Sequence, residues 1–158
     1  MKKTFVLIIV LTFCFLASAQ QTNTLDIESE KTAVINIVEK FLTAAGNYDL
    51  DAIPEMFSEK ANIAGASLRD GEWITYTMTI QEFLERLKSR NNPTKYTEPV
   101  SKFIIHMEMG MLAFVRADAI LTVNGEPKSN NFDYFTLIKE DGKWKILNGS
   151  YVSVRIKK

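Results

Sequence analysis

FDYFTLIKEDGKWKIL, Phe132 to Leu147, continued by NGSYVSV to Val154, decides the fold. Two runs rich in aromatic and β-branched residues flank Asp141-Gly142, a dipeptide suited to the positive φ angles of a two-residue hairpin turn. With that turn, Glu140 faces Lys143, Leu137 faces Ile146, Phe135 faces Asn148 and Asp133 faces Ser150. Alternation then places Asp133, Phe135, Leu137, Trp144, Ile146, Asn148 and Ser150 on one side of the sheet. Tyr134, Thr136, Ile138, Lys145, Leu147 and Tyr151 take the other.

Working outward, Val100 to Glu108 and Met111 to Val123 read as two more strands. Met109-Gly110 joins them, and Asn124-Gly125 with a longer loop leads on to Phe132. A two-residue Met109-Gly110 turn pairs His106 with Ala113, Phe103 with Arg116 and Ser101 with Asp118. Arg116 and Asp118 then share a face with Phe103, Ile105, Phe114 and Ile120. Strands joined by tight turns run antiparallel, so this half is a four-strand meander.

The N-terminal half is helical, with one hairpin. Val34, Ile37, Val38, Phe41, Leu42 and Ala45 recur at three- and four-residue steps and form one helical face, and Gly46 stands where a helix ends on a positive φ. Asp49 or Asp51 caps a short second helix with Pro54 in its first turn. Ala61 to Leu68 and Trp73 to Met78 are strand-like around Arg69-Asp70-Gly71-Glu72. Thr79 and Glu82 make a capping box for a third helix carrying Ile80, Phe83, Leu84 and Leu87, which stops at Asn91-Asn92-Pro93. A sheet this large has an apolar face that the helices must cover, which makes an α+β domain.

The run EDGKWKI, Glu140 to Ile146, and Asn47-Tyr48-Asp49 before the second helix resemble the nuclear transport factor 2-like superfamily, over about Glu30 to Val154. The resemblance implies a cystatin-like cone, in which a strongly curved antiparallel sheet of about six strands wraps an N-terminal helix, with three helices in all. It implies one deep pocket, open at one end, in a fold that hosts enzymes and non-catalytic binders alike. It is closer still to exported bacterial members without an assigned activity. Members often pair through the outer sheet face, which here would carry Tyr134, Thr136 and Leu147 in a homodimer.

A pocket of this kind has an apolar wall ending in a few convergent polar groups. Asp133, Phe135, Trp144, Asn148, Arg116 and Phe41 are the residues expected to line it. Asp133 has a competing reading as a wet residue near a strand end, paired with Ser150. Asp118 is a candidate general base if its face lines the cone, where loss of water raises a carboxyl pKa. Its competing reading is an ion pair with Arg116 on a half-exposed strand. His106 is the single histidine, so any histidine mechanism must use it. The His–Asp pairs of dehydratases that the fold resembles cannot be carried over whole. Ketosteroid isomerases of this fold need a tyrosine on the first helix; this helix has Phe41, and Tyr48 follows it. One histidine and scattered carboxylates give no metal-ligand spacing, and no cofactor is implied.

The ends and the totals bound the rest. The chain has 158 residues, enough for one domain. Lys2 and Lys3, the apolar run Phe5 to Leu16 and Ala17-Ser18-Ala19 form a signal-peptide pattern with cleavage after Ala19. A lipoprotein reading would need small residues before Cys14, where Phe13 stands. Cleavage after Ala19 removes Cys14, the one cysteine, and with it disulfide and thiol chemistry. The expected layout is a signal peptide over 1–19, a flexible leader over 20–29 and the domain over 30–156, with periplasmic or secreted location and no membrane span in the mature chain. Basic and acidic residues are both 19 in the full chain, with no basic patch, which excludes nucleic acid as a partner. The preferred reading is a binder of a small, largely apolar molecule. The alternatives are an acid–base enzyme (isomerase, dehydratase or polyketide-cyclase-like) working through Asp118, Asp133 or His106, and a homodimeric interaction module without a ligand.

Overall fold

The computed structural model describes residues 23–157. The expected signal peptide and its expected cleavage site lie outside them. Three helices and six strands follow in the order α1 (Asn23–Asn47), α2 (Ile53–Met56), β1 (Phe57–Arg69), β2 (Glu72–Thr79), α3 (Ile80–Lys88), β3 (Val100–Glu108), β4 (Leu112–Val123), β5 (Glu126–Glu140) and β6 (Lys143–Arg155). The strands form one sheet in the order β2-β1-β6-β5-β4-β3. Four pairings are antiparallel, as tight turns require, while β1 and β6 run parallel from Asn62↔Asn148 to Leu68↔Val154. The sheet is therefore mixed, because the first and last strands meet side by side with nearly the whole domain between them.

Helix α1 fills the concave side. Val34, Val38, Phe41, Leu42 and Ala45 are buried along the face their spacing predicts. The helix starts at Asn23, inside the stretch read as a leader. Phe41 sits at the centre, edge-on to Phe57 at 4.9 Å and to Phe135 at 5.9 Å between ring centroids. At the far end Trp144 donates its indole N–H to Glu30 Oε2 at 2.5 Å, and Lys139 ion-pairs with the same carboxylate. Asp70-Gly71, Asn124-Gly125 and Asp141-Gly142 all have positive φ at both positions, the geometry of two-residue hairpins. The Thr79–Glu82 capping box closes at 2.7 and 3.2 Å and opens α3.

Three local departures matter. First, Glu108 pairs with Leu112, one residue beyond the register of a bare two-residue turn. Met111 N–H does close the turn onto Glu108 O at 2.9 Å, but its carbonyl accepts Lys139 N–H of β5, also at 2.9 Å. Met111 is thus an extra residue, and every side chain of β4 changes face relative to β3. Second, β5 starts directly after Asn124-Gly125; the expected longer loop is strand, and the ladder shift between Leu121 and Thr122 accommodates Pro127, which has no N–H to donate. Third, β6 holds register with β5 to Leu137↔Ile146 and then shifts, so that Thr136 pairs with Asn148 and Phe135 with Gly149. Leu147 is the additional residue of this bulge.

Candidate functional site

The third departure builds the site. Past Leu147 the inward alternation of β6 moves to Gly149, Tyr151 and Ser153, and Asn148 drops out of the lining while Ser150 stays at it. Gly149 is closely packed there: a Cβ would stand 3.1 Å from Ile63 Cδ1 and 3.5 Å from the Phe135 ring. The inner face of β1, β2, β5 and β6, the second half of α1 and helix α3 together enclose a cavity of about 1000 Å³. Phe41, Phe83, Phe135 and Ile63 supply its apolar wall. A volume of this order fits a small organic molecule.

Asp133 is the central polar residue of that wall. It is 5 % exposed, directly opposite Tyr151 on β6, and its Oδ2 is buried without a hydrogen-bond partner among the described residues. Burial pushes its carboxyl up to about 8, and the nearby charges of Glu98 and Asp118 add to the rise. Glu98 reaches the cavity from the segment before β3. Burial raises its carboxyl too, against the opposing hydrogen bond from Asn131 Nδ2. Ser129 Oγ completes this chain, donating to Asn131 Oδ1 at 2.9 Å.

On the same cavity wall, the Tyr76 and Tyr151 hydroxyls share a short hydrogen bond. The Tyr76 ring lies on Gly65, where an added Cβ would come within 2.5 Å of it. Burial, then the bond to Tyr151, holds the Tyr76 phenol in its neutral form. The site therefore offers two carboxyls whose burial favours the protonated form and a hydrogen-bonded pair of phenols around an aromatic hollow.

The residues expected from the sequence divide cleanly. Asp133, Phe135 and Phe41 line the cavity. Trp144 does not: it is buried at the opposite end with its N–H spent on Glu30. Asn148 is turned outward by the Leu147 bulge and donates weakly to Asn62 O at 3.4 Å. Arg116 and Asp118 lie on the outer face because of the extra residue at Met111. There they form a two-point ion pair, Nε–Oδ1 2.7 Å and Nη2–Oδ2 3.2 Å, with the guanidinium over the Phe132 and Tyr134 rings. His106 is exposed opposite Phe114 on that same outer face and has no route to the cavity. Among the described residues no cluster of three or more His, Cys, Asp or Glu could hold a metal ion, and no helix is long and apolar enough to cross a membrane.

Glu98, Tyr76, Tyr151 and Asn131 complete the site without having been singled out as lining. Gly65 and Gly149 inside strand patterns were the available signals, since glycine in a strand marks a bulge or a close approach. Glu98 had none, because it lies on a connection.

This architecture is that of the nuclear transport factor 2-like, cystatin-like cone. Residues 29–152 match the family described as "Putative lumazine-binding", and the chain belongs to that family. Among solved structures it is similar to a nuclear transport factor 2-like protein of unknown function from Shewanella baltica, with 21 % identity, a TM-score of 0.59, and coverage of 79 % of this chain and 94 % of that one. A Mycobacterium tuberculosis protein of unknown function superposes with a TM-score of 0.67 at 14 % identity, covering 84 % of this chain and 77 % of the other. A Novosphingobium aromaticivorans protein described as "Putative Scytalone Dehydratase" gives a TM-score of 0.61 at 17 % identity, covering 82 % and 87 %. These likenesses establish the fold. No curated protein matches the chain.

Proposed function

We propose that this is an exported domain that binds a small, flat, largely apolar molecule inside the cone without transforming it. Asp133 carries the reading: a buried carboxyl with one oxygen unpartnered, on the wall of an aromatic cavity. An unsatisfied buried polar atom costs about 1–3 kcal/mol, and a guest with an N–H or O–H on its edge recovers that cost. The family description supplies a ligand class with such edges, and lumazine itself is the first probe. Titration of the full mature chain should quench lumazine fluorescence saturably, and Asp133→Leu should weaken the effect. Absence of saturable binding up to millimolar lumazine would remove this ligand class. Export rests on the pattern ending at Ala19, and sequencing the N-terminus of protein from its own host should return Gln20.

An acid–base enzyme is the second reading. Its support is the juxtaposition of Asp133, raised to about 8, with the hydrogen-bonded Tyr76–Tyr151 pair, since a general base is most useful with a pKa near the working pH. Under this reading Asp133, and neither Asp118 nor His106, is the base. Turnover that survives Asp133→Asn unchanged would dismiss it.

A homodimer through the outer sheet face is compatible with either reading. Phe114, Ile120, Tyr134 and Leu147 are all exposed there.

A further inference from the structure

The full chain carries equal numbers of acidic and basic residues, yet the cavity does not share that balance. Five basic residues line it, Arg69, Arg86, Arg90, Lys128 and Arg155, against the acids Asp70, Glu98 and Asp133. The two signs are also separated in depth: Arg86 and Arg90 are exposed at the rim, while Asp133 is buried on the wall. Lys128 is ion-paired with Glu126, and Arg155 stands 3.7 Å from Asp70. Among the described residues, no ion pair engages Arg86 or Arg90.

Aromatic faces hold these two guanidiniums instead. Arg86 lies 5.0 Å from the centre of the Tyr76 ring, and Arg90 lies 6.0 Å from that of Tyr48. Arg90 Nη1 also donates to Tyr48 Oη at 3.0 Å. Both rings line the cavity. A stacked guanidinium loses little freedom on meeting an anion, and most of its five N–H donors remain available. Arg86 is in the last turn of α3 and Arg90 lies just past its C-cap Ser89; both line the cavity, and both guanidiniums act on the Tyr76 hydroxyl.

We infer that the cavity takes an organic acid end-on: its anionic group sits between Arg86 and Arg90 at the rim, its flat apolar body lies against Phe41, Phe83 and Phe135, and an N–H or O–H at its inner edge donates to Asp133 Oδ2. This inference rests on the cone being a binding site and adds the charge and direction of the guest. The cationic rim also draws anions toward the opening from a chain that is otherwise close to neutral.

Two probes test it: 8-anilino-1-naphthalenesulfonate, and N-phenyl-1-naphthylamine, which has the same rings and N–H but no sulfonate. Each is titrated into the full mature chain and into the Arg86→Gln/Arg90→Gln double variant. Carbon-13 methyl spectra locate the probe: Ile63 and Leu121 report the cavity, and Ile120 the outer face. The sulfonate should bind about ten-fold more tightly than its uncharged parent, the value of one charge-assisted contact. The double variant should abolish that preference while leaving the parent within about two-fold, and high salt should erode it in the wild type. Equal affinity of both probes at Ile63 and Leu121, unaltered by the double variant, overturns the charged-rim inference and leaves the binding site standing. Saturation without any shift at Ile63 or Leu121 overturns both.

Discussion

Gly46 lies directly against Tyr96: Tyr96 N–H donates to Gly46 O at 3.1 Å, and a Cβ on residue 46 would collide with the Tyr96 carbonyl oxygen. The glycine is inside α1, which runs to Asn47, and the positive φ that ends the helix is at Tyr48. Its role is closeness of approach rather than helix termination. Through it the end of α1 grips the segment carrying Tyr96 and Glu98, both of which line the cavity.

Gly46→Ala should therefore destabilise the protein although alanine is the better helix former. The helix gains about 1 kcal/mol. Overpacking against a backbone carbonyl costs toward the upper end of about 1–3 kcal/mol, so a net loss of about 1–2 kcal/mol is expected. Urea unfolding measures it; an unchanged or higher midpoint would show that the contact is slack.

Asp133 should make stability fall with rising pH. Its folded pKa, about 8, lies above its ordinary value of 3.8, so the folded state holds the proton more tightly than the unfolded chain. The contribution is complete below about pH 4 and is lost as pH rises through about 8. Asp133→Asn keeps the shape without the charge. The wild type should lose stability relative to it steadily from about pH 4, with the difference levelling off above about pH 8. A wild-type-minus-variant difference that is flat from pH 5 to 9 would falsify the buried-acid assignment.

Trp144 separates stability from binding. Trp144→Phe removes the indole donor to the partly buried Glu30 carboxylate and should cost about 1.5–3 kcal/mol. Probe affinity should stay within about two-fold, because Trp144 lies outside the cavity lining. A larger loss of affinity in folded variant protein would return Trp144 to the site.

His106→Ala should change neither binding nor any turnover, since His106 is exposed on the outer face. A loss of probe affinity or of turnover in folded variant protein would contradict its placement.

The outer face can be tested in the same preparation. The wild type should sediment as a dimer, and Phe114→Glu should sediment as a monomer, because a carboxylate would be placed in the exposed apolar patch. A monomeric wild type at high micromolar concentration would end the dimer reading.

Local chemistry was legible in the residues themselves. The Asp-Gly and Asn-Gly turns, the Thr79–Glu82 box and the buried stripe of α1 depend on neighbours a few positions apart, and each is present as the spacing implies. So are Phe41, Phe135 and Asp133 as lining residues. What the order of residues could not settle was phase. One added residue at Met111 turned Arg116 and Asp118 outward, and one at Leu147 exchanged Asn148 for Gly149 and Tyr151. In a strand, side chains alternate sides at every step, so a single unpaired residue reverses everything beyond it. Whether a bulge forms depends on what lies across the sheet: Lys139 N–H for Met111, and the Ile63 and Phe135 side chains for Gly149. Those partners are distant in sequence, and so the pairing of Asp133 with Tyr151, the contact of Tyr151 with Tyr76 and the hollow they line exist only in the folded molecule.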